Sequence, residues 1–208
     1  SRARIPAIVR RGDFVYNFWT DALNPRGLWR RTTLAEYRKV EPKWDVLLDV
    51  DALGKRAGVN WVWGGSDCRG PDYRRCLLNL SRGGADAHVV REFDLVERKF
   101  VDGGFSLPEA KSRVGWLDAD HLLVGTDFGP GSMTDSGYPR VIKRWKRGQP
   151  LGSAVTLYEA RKTDVSAWFV IDDTPGYERV QLGRSPDFYN TELSLLIPGD
   201  KLQLLDRP

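Results

Sequence analysis

Short runs of β-branched and aromatic residues recur along this chain, separated by clusters of Gly, Pro, Asp and Asn. Runs bounded in this way predict strands. They group in fours. The first group is Arg4–Arg10, Asp13–Thr20, Gly27–Leu34 and Trp44–Asp49. The second is Trp61–Cys68, Tyr73–Leu80, Ala87–Leu95 and a short Lys99–Val101. The third is Arg113–Asp118, His121–Asp127, Arg140–Arg147 and Val155–Ala160. The fourth is Asp164–Ile171, Tyr177–Arg184, Phe188–Leu196 and Lys201–Asp206. Within Val165–Ile171 nearly every position is apolar, as in a strand packed on both faces. Within Ala87–Leu95 the apolar positions are Val89, Phe93 and Leu95, broken by Arg91, as in a more exposed strand.

The groups begin near residues 4, 61, 113 and 164, at spacings of 57, 52 and 51. Four strands per unit of about 50 residues is the sequence mark of a β-propeller blade. The expected fold is therefore all-β, a partial β-propeller of about four blades of four-stranded antiparallel sheet, spanning 4–49, 61–101, 113–160 and 164–206. Hairpin connections at Arg11-Gly12-Asp13, Asp118-Ala119-Asp120, Asp173-Thr174-Pro175-Gly176 and Pro198-Gly199-Asp200 agree with antiparallel neighbours. One-turn helices are expected at Thr33–Tyr37 and Leu107–Ser112, and no segment keeps an apolar 3.6 period long enough for more. A blade hides both faces against its neighbours. Either four blades close into a small propeller, or further blades cover the two outer faces; left open, those faces invite self-association.

Composition adds limits. Hydrophobic residues make up 41% of 208 and charged residues 29%, with eight Trp, eight Phe and seven Tyr, as in a well-packed chain. No apolar run reaches the ~18 residues of a membrane span. Ser1–Arg11 is basic and lacks the apolar centre of a secretion signal. The chain does not begin with Met, which suggests a piece of a longer or processed protein. Its two cysteines, Cys68 and Cys76, lie where neighbouring strands would allow a disulfide. At this low cysteine density two free thiols in a reducing, cytoplasmic compartment are the expected state.

Gly64-Gly65-Ser66-Asp67-Cys68 lacks the last Gly and the following helix of a nucleophile elbow, so a strand end or turn is expected there. His88 and His121 stand apart from any nucleophile and read as structural. Asp49-Val50-Asp51 and Asp118-Ala119-Asp120 read as turns, without the Gly and distal Glu of a calcium loop. No metal site and no cofactor is expected, and Gly129–Ser132 lacks the Lys and helix of a phosphate loop. The run Lys143-Arg144-Trp145-Lys146-Arg147 reads as a solvated outer-strand edge. Thirty-two bases against 28 acids leave a net charge of +4, too balanced for a nucleic-acid surface.

Three stretches carry a family resemblance: Tyr16-Asn17-Phe18-Trp19-Thr20-Asp21 followed by Gly27-Leu28-Trp29-Arg30-Arg31-Thr32-Thr33; Trp44-Asp45-Val46-Leu47-Leu48-Asp49; and Gly125-Thr126-Asp127-Phe128-Gly129-Pro130-Gly131-Ser132 with Tyr138-Pro139-Arg140. Together they resemble the N-terminal part of the propeller of the prolyl oligopeptidase family of serine peptidases. The resemblance implies a seven-bladed propeller over an α/β-hydrolase domain of the same parent chain. It implies a propeller that restricts access, so that short peptides are cleaved. The catalytic triad would lie in the hydrolase domain, and no triad residue carries over to this chain. The protein-binding propeller scaffold is the competing reading. Loops between second and third strands are the expected substrate-lining positions. In the third blade that loop runs from Asp127 to Pro139 and holds Phe128 and Tyr138; in the fourth it runs from Arg184 to Phe188.

Overall fold

A computed structural model of the chain describes residues 6–205. Arg4 and Ile5 of the first expected strand and Asp206 of the last lie outside the described residues. The chain divides into two compact units that meet at Glu109 and Ala110.

In the first unit, β1 (Ile8–Arg11), β2 (Phe14–Trp19), β3 (Leu28–Thr33) and β4 (Asp45–Asp49) form one antiparallel sheet in chain order. The next sheet contains β5 (Trp61–Cys68), β6 (Arg75–Arg82), β7 (His88–Asp94) and the two-residue β8 (Lys99–Phe100). β9 (Ser106–Ala110) also pairs with β7. The second unit repeats the pattern twice. One sheet is β10 (Arg113–Trp116), β11 (His121–Gly125), β12 (Val141–Lys146) and β13 (Val155–Glu159). The other is β14 (Ser166–Asp172), β15 (Arg179–Ser185), β16 (Glu192–Ile197) and β17 (Lys201–Leu204). All sixteen expected strands are matched by a strand within a few residues.

Large aromatic side chains join the two sheets of the first unit. Phe18 stacks on Trp63 with centroids 5.2 Å apart, and Trp63 meets Trp29 at the same distance. Trp29 then meets Phe93 edge-on at 6.0 Å, and Phe93 meets Phe100 at 5.4 Å. Buried Tyr16, Leu48, Leu78, Leu80 and Leu95 complete this core. Arg11 adds a polar link, its Nη2 donating to the carbonyl and hydroxyl oxygens of Ser66 at 3.0 and 3.2 Å. In the second unit the core between sheets is Leu123, Ile142, Leu157, Ala167 and Leu182, with Phe169 and Ile171 packed against it. Gly115 allows this approach: a Cβ there would lie 2.9 Å from Ile171 Cδ1 and 3.1 Å from the Phe169 ring.

Several local expectations are corrected. A two-turn helix, α2 (Val50–Ala57), follows β4, preceded by the expected single turn α1 (Leu34–Tyr37). Asp49 therefore caps a helix where a turn was expected. Its Oδ1 accepts from Ala52 N at 2.8 Å, a cap worth about 1 kcal/mol. Gly58, at φ 64°, ends the helix. Asp51 accepts from the backbone N–H groups of Arg26 and Gly27. Only Val50 and Leu53 of α2 are buried, so its apolar pattern is too short to register as a helical period.

Leu107–Ser112 was expected to be helical, but 106–110 is the strand β9, drawn into the ladder by β7. β7 is itself more buried than its alternation implied. Val90, Glu92 and Asp94 are interior alongside Phe93, and the Glu92 carboxylate accepts from Phe105 N at 2.9 Å. The cysteines are also corrected. Cys68 and Cys76 face each other in the β5–β6 register, Cα atoms 3.9 Å apart, and form a disulfide. Cysteine density says nothing about register, and register decided the pairing. Finally, the basic run is not at an edge. β12 is paired on both sides, and two arginines of the run have acidic partners nearby. Arg144 bonds to Asp200, while Arg147 bonds to Asp120 and to the Ala119 carbonyl oxygen.

Candidate functional site

The loop between β11 and β12, residues 126–140, is held by its own polar side chains. Ser132 Oγ accepts from Phe128 N at 2.9 Å and donates to Gly129 O at 2.7 Å and Asp127 Oδ1 at 3.2 Å. Asp127 Oδ1 also accepts from Gly129 N at 2.9 Å. Further along, Thr134 N donates to Tyr138 O, and Tyr138 N donates back to Thr134 Oγ1. The loop is tied to the segment 162–167, which leads into β14. Thr134 Oγ1 donates to Val165 O at 3.0 Å, Asp135 N to Lys162 O at 2.8 Å, and Ala167 N to Pro139 O at 2.9 Å. A long loop this heavily bonded keeps a defined shape, as binding loops on rigid scaffolds do.

Both aromatic residues expected to matter here lie under a lysine. Lys143 Nζ sits 4.5 Å from the centroid of Phe128, and Lys111 Nζ lies 4.6 Å from that of Tyr138. Such contacts add about 0.5–1 kcal/mol at exposed sites and place a positive charge beside each ring. Phe128 is half-buried, whereas Tyr138 is 38% exposed.

In the last sheet, Arg184 is largely covered, its side chain 11% exposed. Its Nη1 donates to Asp164 Oδ1 at 2.8 Å, and its Nε and Nη2 donate to the two oxygens of Glu192 at 3.1 and 2.8 Å. Asp164 is only 4% exposed on its side chain, and its other oxygen accepts from Arg161 N at 2.7 Å. These bonds hold the Arg184 guanidinium more firmly protonated than usual. The guanidinium in turn keeps the Glu192 carboxyl below the ordinary carboxylate range. Burial pushes the neighbouring Tyr158 hydroxyl up, and the Glu192 charge adds to that.

The connection from β15 to β16 is longer than expected, because β16 starts at Glu192 and not at Phe188. Phe188 therefore stands in the loop, 89% exposed, beside Tyr189 at 95%. Asp187 fixes the turn: its Oδ1 accepts from Tyr189 N and Asn190 N, and its Oδ2 from Asn190 Nδ2. The Asn190 amide bond, with those two backbone bonds, holds the Asp187 carboxyl below its usual range.

The structure thus ties Phe128 and Tyr138 to one bonded loop, presents Phe188 to solvent, and commits Arg184 to two carboxylates. Asp164 and Glu192 were missed from sequence. Glu192 is legible once β15 and β16 are in register, because it sits opposite Arg184. Asp164 lies in an irregular linker and carries no such signal. Each histidine has a local partner: His121 contacts Asp118 at 3.0 Å, and His88 contacts Asp86 O at 3.3 Å. Among the described residues no cluster of three metal-ligating side chains occurs, and no helix is long and apolar enough to cross a membrane.

Repeated four-stranded antiparallel meanders, each with its strands in chain order, define this chain as a run of β-propeller blades. It belongs to the prolyl oligopeptidase N-terminal β-propeller domain family, which matches residues 1–174. An uncharacterized peptidase of Sinorhizobium fredii is 46% identical over 200 residues, covering 95% of this chain and 27% of that protein. One of Rickettsia prowazekii is 35% identical over 222 residues, covering 100% and 30%. The solved structure of a post-proline cleaving enzyme from Rickettsia typhi superposes with a TM-score of 0.92 at 32% identity. It covers all of this chain and 32% of that one. Oligopeptidase B of Leishmania major shares the fold, with a TM-score of 0.76 at 14% identity. The chain therefore spans about a third or less of these relatives.

Proposed function

We propose that this chain is the access-restricting propeller segment of a serine peptidase that cleaves short peptides, and that it supplies none of the catalytic residues. The observation that carries this reading is family membership together with coverage of only 27–32% of proteins described as peptidases or a post-proline cleaving enzyme. The natural partner is then an α/β-hydrolase domain of the same parent chain. Phe188 and Tyr138 are the residues that reach peptide or partner, being exposed on loops with fixed backbones. Phe128 backs the first loop. Arg184 acts through position: it locks β15 to β16 and so holds the loop that presents Phe188.

Two assays with a short fluorogenic peptide test this. The isolated chain is expected to show no turnover, and serine-reagent-sensitive turnover by it alone would sink the reading. In the full-length parent, Phe188→Ala is expected to raise KM about fivefold with kcat kept, the loss of roughly 1 kcal/mol of aromatic contact. An unchanged KM removes Phe188 from the site.

The isolated chain is also expected to self-associate. Phe169, Ile171, Val180 and Leu196 point into the second unit's core, so the alternate residues Val170, Leu193 and Leu195 line the other face of that sheet. Val170 is exposed there. Sedimentation velocity should show a dimer that Val170→Lys disperses; a monomer at the highest soluble concentration rejects the idea. A cytoplasmic location belongs to the same proposal. The Cys68–Cys76 bond bears on it directly, since disulfides in that compartment are mostly transient or redox-sensing.

A further inference from the structure

We propose that the Cys68–Cys76 bond is a redox-operated staple on the tip of the β5–β6 hairpin, opened by a dithiol reductant while the rest of the unit stays folded. This is independent of the peptidase reading. The two sulfurs differ in access. Cys76 is fully buried and belongs to the core, whereas Cys68 is partly exposed at the end of β5. Of the two, Cys68 is therefore the residue that an incoming thiolate meets first. The backbone ladder runs from Trp61 opposite Arg82 to Cys68 opposite Cys76, so pairing holds the two cysteines together without the bond. These are the chain's only cysteines, so no third thiol competes when the bond re-forms.

The reduced state is also provided for. Cys76 Sγ lies 3.8 Å from Tyr73 O, an acceptor in place for the thiol. Besides the disulfide, the tip is held by Arg69 N to Arg75 O and Tyr73 N to Arg69 O, each 3.0 Å, and by Arg74, which bonds through its backbone N to Asp72 Oδ1 at 3.1 Å and through its guanidinium to Asp94 Oδ2 at 2.9 Å. Tyr73 sits at φ 52°, a left-handed backbone that is unfavourable for a bulky residue. Its ring lies near Gly12 in the turn between β1 and β2, where a Cβ would come within 3.9 Å of it. Freeing the tip would loosen a contact between the two sheets of the first unit.

In the first step a reductant thiolate bonds to Cys68 Sγ and the Sγ–Sγ bond breaks. The Cys76 thiolate leaves and takes up a proton. The reductant's second thiolate then attacks its own sulfur in the mixed disulfide and releases Cys68 as a thiolate, which is protonated in turn. The protein gains two electrons and two protons, and the dithiol becomes a disulfide.

The test is native-state alkylation and mass mapping across a dithiothreitol redox series, with hydrogen exchange followed in parallel. Expected are two alkylated cysteines in folded protein, exchange at 69–74 faster by on the order of tenfold or more, exchange at 77–82 changed less than twofold, and full reversal on reoxidation. A Cys68→Ala/Cys76→Ala variant should exchange at 69–74 like the reduced protein under all conditions. Alkylation only after denaturation, exchange rising throughout the unit, or a redox response that survives in the double variant would each overturn the proposal.

Discussion

Arg184→Met is expected to lower the unfolding free energy by about 3–5 kcal/mol, the usual scale for removing one partner of a buried ion pair. The substitution preserves much of the aliphatic volume but leaves Asp164 interior and without its cation. Glu192 is affected less, because it lies nearer solvent, at 45% exposure. Arg184→Lys should fall between wild type and Met, since an ammonium cannot make the forked contact with Glu192 while also reaching Asp164. In an Asp164→Asn/Glu192→Gln background the same Met substitution should cost less than half as much, because no buried anion is stranded. Urea unfolding of the wild type and these four variants measures all of this. A loss below about 1 kcal/mol for Arg184→Met alone would mean that the cluster behaves as a surface pair.

The cluster also predicts a pH dependence. Glu192 is held below its ordinary value by Arg184, so its folded pKa is depressed. Its contribution to stability is therefore complete above the unfolded carboxylate value near ~4.3 and is lost as pH falls through the folded value. Arg184→Met should flatten that part of the stability profile.

Phe93→Ala is expected to cost about 3–5 kcal/mol, the range for deleting a buried aromatic ring. Phe93 is fully interior and touches Trp29 and Phe100 edge-on, in the middle of the aromatic chain that joins the two sheets of the first unit. Neighbouring Trp29, Trp63 and Phe18 are already packed against one another, so they cannot collapse into the space. Phe93→Leu retains most of the volume and should lose only about 1–1.5 kcal/mol. Urea midpoints, followed by tryptophan emission and by far-UV circular dichroism, distinguish these cases. A loss under about 1.5 kcal/mol for Phe93→Ala would show that the sheets rely on other contacts.

Much of the architecture could be read from local pattern. β-Branched and aromatic runs such as Phe14–Trp19 and the Gly- and Pro-bearing turns declare strands and their ends through neighbouring residues alone. Their recurrence four times declares blades. The quoted motifs from Tyr16 to Arg140 pointed to the family to which the chain belongs. Local pattern failed where the deciding partner was distant. β9 became a strand because β7 offered a ladder. α2 formed on a cap at Asp49 and a stop at Gly58 with only two buried residues between them.

What the amino-acid order determined by itself is the number, grouping and turn chemistry of the strands, because those depend on contacts a few residues apart. Tertiary structure alone decided that Cys68 meets Cys76, that Arg184 is enclosed by Asp164 and Glu192, that Arg144 of β12 meets Asp200, and that Phe188 stands free. Each of those outcomes depends on register and on which face is covered. A shift of one residue in pairing would reverse the face on which every side chain of a strand lies.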